Sequence, residues 1–74
     1  MNSNEHALQE EITRQRSMLY GYITHVPDKV KDGSHNLAVE FKKSVAEAAR
    51  THAKRNVKLS ELNSAINNLH RYWT

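Results

Sequence analysis

The chain has no cysteine, one proline, one phenylalanine, one tryptophan and two glycines in 74 residues. Without cysteine there is neither a disulfide nor a thiolate metal site. A fold must therefore rest on a packed core, and the absence suits a reducing compartment. No apolar run approaches the ~20 residues needed to cross a bilayer, so no membrane partner is expected. Residues 1–15 carry Glu5, Glu10 and Glu11 and no apolar stretch, which does not read as a secretory leader. The expectation is a cytoplasmic protein. Punctuation is equally scarce. Only residues 27–33, which hold the proline and one glycine, read as a loop, with room for one helical turn at Asp28–Lys31. No alternation of period two is long enough for a strand, and there is no internal repeat.

What is present is helical periodicity. At about 100° per residue, Leu37, Phe41, Val45, Ala48 and His52 fall on one stripe. Ala38, Ala46, Ala49 and Ala53 form a second stripe beside it, so this helix is expected to hide about half its circumference between two neighbours. A first helix is marked by Leu8, Ile12, Gln15, Leu19, Tyr22 and Val26 at four-three spacing, with Ser3 or Asn4 as a cap and Pro27 as the stop. Leu59, Leu62, Ile66, Leu69 and Trp73 mark a last helix, with Ser60 as its expected cap. The fold expected is all-α: a small three-helix bundle with a long central helix, over residues 4–25, 35–55 and 59–73. The 74 residues make one helical domain, in which residues 1–3 are expected to fray and 27–34 to link helices.

Chemistry finds little support. No two of the five histidines stand at i,i+3 or i,i+4, the spacing that sets a metal pair on one helix face. His52 lies on the apolar stripe, where the plain reading is a core-edge histidine. Glu10 and Glu11 are adjacent and point about 100° apart, so they do not form a paired-carboxylate site. No serine sits in a glycine-flanked elbow, and no glycine-rich loop could cradle a phosphate. The expectation is no enzyme, no metal and no cofactor.

Three surfaces remain as candidates for binding. Lys42, Lys43, Arg50, Lys54, Arg55 and Lys58 stand against one acid, Glu47, between positions 42 and 58. Lys43, Arg50, Lys54, Arg55 and Lys58 read as a patch for phosphates or an acidic protein surface. The plain reading is a solvated face that complements the helix C-terminus, with Glu47 pairing Lys43 and Arg50. The last helix presents Asn63, Ser64, Asn67, Asn68 and Arg71 outward. Asn and Ser are weak helix formers, so Asn63, Asn67 and Arg71 form a candidate contact face, although drift on an unselected surface explains them as well. Finally, Met18, Tyr20, Tyr22, Tyr72 and Trp73 are too many large side chains for a small core, and anchors of this type are enriched at interfaces. Core packing accounts for Leu19, Ile23, Trp73 and also Tyr22, which leaves Met18, Tyr20 and Tyr72 as the better interface candidates, with Tyr22 a further one.

Together these features suggest a small non-enzymatic interaction protein that binds and modulates or inhibits a macromolecule, most readily a protein. Short, basic, cysteine-free helical chains are common among phage, plasmid and bacterial accessory regulators, an association of composition alone. The alternative is a DNA- or RNA-binding module built on the basic end of the middle helix and the Asn-rich face of the last. A chain this short with surplus aromatics gains core by associating, so a homodimer is expected over a monomer. Its expected contact is the seam Leu8, Ile12, Leu19 and Tyr22 with polar Gln15 as a register device, although packing against the central helix explains the same seam.

Overall fold

The computed structural model describes residues 3–74, and among them the regular structure is all helical, with no strand. Helix α1 covers Ser3–Thr24, the single turn α2 Asp28–Lys31, α3 His35–Ala53 and α4 Leu59–His70, followed by a 3-10 turn at Arg71–Trp73. The three long helices pack as a bundle. Because α3 returns over α1 and α4 returns over α3, α1 and α4 run in the same direction and α3 runs against both.

Local chemistry sets each boundary. Pro27 ends α1, and the Pro27 carbonyl accepts from Val30 and Lys31 to nucleate α2. Ser34 caps α3, its Oγ accepting from the Leu37 N–H at 3.2 Å. The cap of α4 is Lys58 rather than Ser60, which lies inside the first turn. Lys58 offers no side-chain acceptor, so the Glu61 carboxylate reaches back to the Lys58 N–H at 3.1 Å. At the other end of α3, Lys54 leaves the helical region (φ −62°, ψ 131°), so this helix stops at Ala53 and Arg55 stands in the link. Ser3 and Asn4 both lie within α1. The frayed start expected for residues 1–3 falls partly outside the described residues.

The core is centred on α4. Leu19, Leu62 and Leu69 are fully enclosed, with Phe41, Ala48, Ala65, Ile66 and Tyr72 around them. Val30 in α2 and Val57 in the α3–α4 link are buried at the two ends. α3 has the two expected neighbours, yet it buries only Phe41 and Ala48. Ala46, Ala49 and Ala53 face solvent. The half-circumference expected for α3 is therefore corrected. One methyl per turn is too small to hold a helix, and the larger stripe of α3 already reaches both partners.

Gly33 shows why one glycine is required. A Cβ there would lie 2.6 Å from the Lys29 carbonyl oxygen and 2.8 Å from Leu37 Cδ2. The backbone carbonyl has no freedom to withdraw, so Gly33→Ala should cost about 1–3 kcal/mol. Urea unfolding followed by circular dichroism measures it; an unchanged midpoint would mean that the loop 32–34 adjusts freely.

Candidate functional site

The aromatic set divides among three places. Met18 and Tyr22 lie on one flank of α1, where with Gly21, His25 and Trp73 they line an open hollow of about 350 Å³. The Tyr22 ring meets Trp73 edge-on at 4.9 Å between centroids, and its hydroxyl pairs with His70 Nδ1 at 2.9 Å. His25 Nδ1 lies 2.7 Å from the Gly21 carbonyl, which can only accept, so this nitrogen carries the proton and closes the last turn of α1. Tyr20 stands on the opposite flank. It is 58% exposed and leans on the His52 ring of α3 at 5.8 Å, beside Thr13, Arg16 and Ser17.

Two assignments from the sequence are corrected. Tyr72 is 3% exposed and cannot serve as an interface anchor. Its ring packs edge-on against Phe41 at 5.2 Å, and its hydroxyl takes a hydrogen bond from Arg71 at 2.9 Å and pairs with Ser44. Trp73, expected in the core, is 38% exposed. Both shifts have one cause: the chain tightens to a 3-10 turn at residue 71. That turn advances each residue by about 120° instead of 100° and rotates Tyr72 inward and Trp73 outward.

The basic set is also dispersed. Lys43 and Arg50 project from the outer face of α3, and no ion pair within 4 Å joins either of them to Glu47. Lys54 is taken up by the Glu61 carboxylate. That hydrogen bond, then the Lys58 N–H, hold the Glu61 carboxyl below its usual range, so it is ionised at neutral pH. Arg71 stacks over the Tyr72 ring at 4.7 Å and donates to the Asn68 carbonyl, so it is committed within the fold. Arg55 and Lys58 are exposed in the link, and Asn63 and Asn67 are exposed on α4.

Between the cations of α3 and the amides of α4 runs a groove of about 340 Å³, floored by Ala48 and Ala65. Ser44, Glu47, Thr51, Ser60, Glu61, Ser64 and Asn68 form its walls. Two carboxylates in this position oppose a phosphate backbone laid across both helices. Among the described residues, no three His, Asp or Glu side chains converge as a metal site, and none of the long helices is apolar enough to cross a membrane.

No family model, curated protein or solved structure matches this chain.

Sequence reasoning missed Arg16 altogether. Its guanidinium crosses from α1 and donates to the carbonyls of His52 at 2.6 Å and Lys54 at 2.7 Å. It thereby closes the C-terminal end of α3. Arg16 sits about 80° from the centre of the α1 seam, where the periodicity assigns it to a solvated flank. Only the position of the α3 terminus gives it a role.

Proposed function

We propose that this chain is a non-enzymatic interaction protein that binds a protein partner through the Met18–Gly21–Tyr22–Trp73 hollow. The observation that carries this reading is Gly21. A Cβ at this position would meet nothing within 4 Å. Mid-helix glycine costs about 0.5–1 kcal/mol relative to alanine, and packing within the chain gives no reason for it. A bare stretch of backbone between exposed Met18 (46%) and Trp73 (38%) makes a socket for an inserted apolar side chain. Modulation or inhibition would follow from occupying the partner's surface, with no chemistry of its own.

Nucleic acid fits less well. Glu47 and Glu61 interrupt the basic and amide faces, and Lys54 and Arg71 are already engaged.

The test separates stability from binding. Gly21→Ala should raise stability by about 0.5–1 kcal/mol and yet weaken the partner recovered from native lysate, as should Met18→Ala. Titration calorimetry at two salt concentrations reads both. If both variants bind normally and affinity falls steeply with salt, the nucleic-acid reading replaces this one.

A further inference from the structure

Residues 4–10 of α1 are all exposed, and the side-chain contact of this stretch, His6 Nε2 with Glu10 at 2.8 Å, lies within it. The bundle begins only at Ile12, which packs against the core, and at Arg16, which reaches the end of α3. At 1.5 Å per residue, α1 overhangs the bundle by roughly 10 Å. The overhang continues the apolar seam. Leu8 falls within about 40° of Ile12 and Leu19 on the helix, but Leu19 has no exposed surface while Leu8 is 47% exposed. A short helix gains most of its stability from a packed apolar face, and here the seam outlasts the bundle that covers it.

We infer that the overhang pairs antiparallel with that of a second copy, with Leu8 of each protomer against Ile12 of the other. Charge selects both the occupant and the direction. The overhang carries Glu5, Glu10 and Glu11; His6 lies against Glu10, and the nearest lysine or arginine, Arg14, is taken up by Glu11. Parallel pairing would abut these carboxylates and drive the two bundles together. Antiparallel pairing lays the first turns of each helix beside the link 54–58 of its partner. There Arg55 and Lys58 are exposed and outside every ion pair among the described residues. Acidic overhang and basic link belong to the same chain, so a two-fold axis satisfies both contacts at once. The area is small, below the ~1,200 Å² of a standard interface, so the dimer is weak and concentration-dependent. The aromatic hollow lies at the opposite end of α1 and stays open in this dimer, so neither reading rests on the other.

Sedimentation equilibrium on the full chain, over concentrations on the order of 1 µM to 1 mM, tests the pairing. A reversible dimer is expected, weakened by salt. Leu8→Glu should weaken it by about tenfold or more with an unchanged thermal melt, because Leu8 has little to lose in the monomer. Glu5→Lys should weaken it too, and adding Arg55→Glu in the same chain should restore it. A strict monomer at low salt overturns the inference. So does a dimer that survives Leu8→Glu and is lost in Met18→Glu, which would place the second copy on the aromatic hollow.

Discussion

Replacing Phe41 with alanine should cost about 3–5 kcal/mol of folding free energy. Phe41 is the single phenylalanine and is 5% exposed, at the point where α3 meets the end of the chain. Its ring stands edge-on to Tyr72 at 5.2 Å and to Trp73 at 6.1 Å. Such aromatic pairs contribute beyond their buried area. Alanine would remove the ring from both contacts and leave a cavity. The surrounding side chains are held by α4 and the 3-10 turn, so they can collapse into it only partly. A domain of this size has about 4–11 kcal/mol in total, so the variant should sit near its unfolding threshold at room temperature. Denaturant titration by circular dichroism measures the loss. Phe41→Leu, which keeps most of the volume, should retain more than half of the difference. A Phe41→Ala variant with wild-type stability would show that α3 is not seated on the core as described.

Arg16 carries the second large effect. A helix ends with unsatisfied carbonyls and a partial negative charge. Arg16 meets both at the end of α3, with its two donors on two different carbonyls. The site is half-buried, so part of each charge-assisted bond is offset by water. Arg16→Ala should cost about 2 kcal/mol, more than ordinary surface substitutions. Arg16→Lys should recover less than half of that, because an ammonium supplies charge without a planar fork. Hydrogen exchange should show the loss concentrated in the last turn of α3 and the link that follows. Equal stability in Arg16→Lys and wild type would reduce the role of Arg16 to charge alone.

These two residues mark different degrees of legibility. Phe41 was evident from periodicity, because a large apolar side chain at mid-stripe of a long helix has nowhere else to go. Arg16 was not, since its role depends on where another helix terminates. The same distinction divides the binding candidates. Met18 reads as surplus apolar bulk in the sequence, and it shares a surface with Tyr22, which periodicity places equally well in the core. Their neighbour Trp73 was expected inside, because a 100° step was extended through a turn that advances by about 120°.

The sequence by itself determined the helical class, the three long helices and the loop at Pro27. It also determined the apolar stripe of each helix, because backbone propensity, capping and periodicity are properties of near neighbours. Only the tertiary structure decided that α4 forms the centre of the core and that the alanines of α3 face water. It alone turned Tyr72 inward, committed Lys54 and Arg71 within the fold, and left the first turns of α1 uncovered. A stripe states which side of a helix avoids water, but not which partner is long enough to cover it. That depends on where every other helix begins and ends.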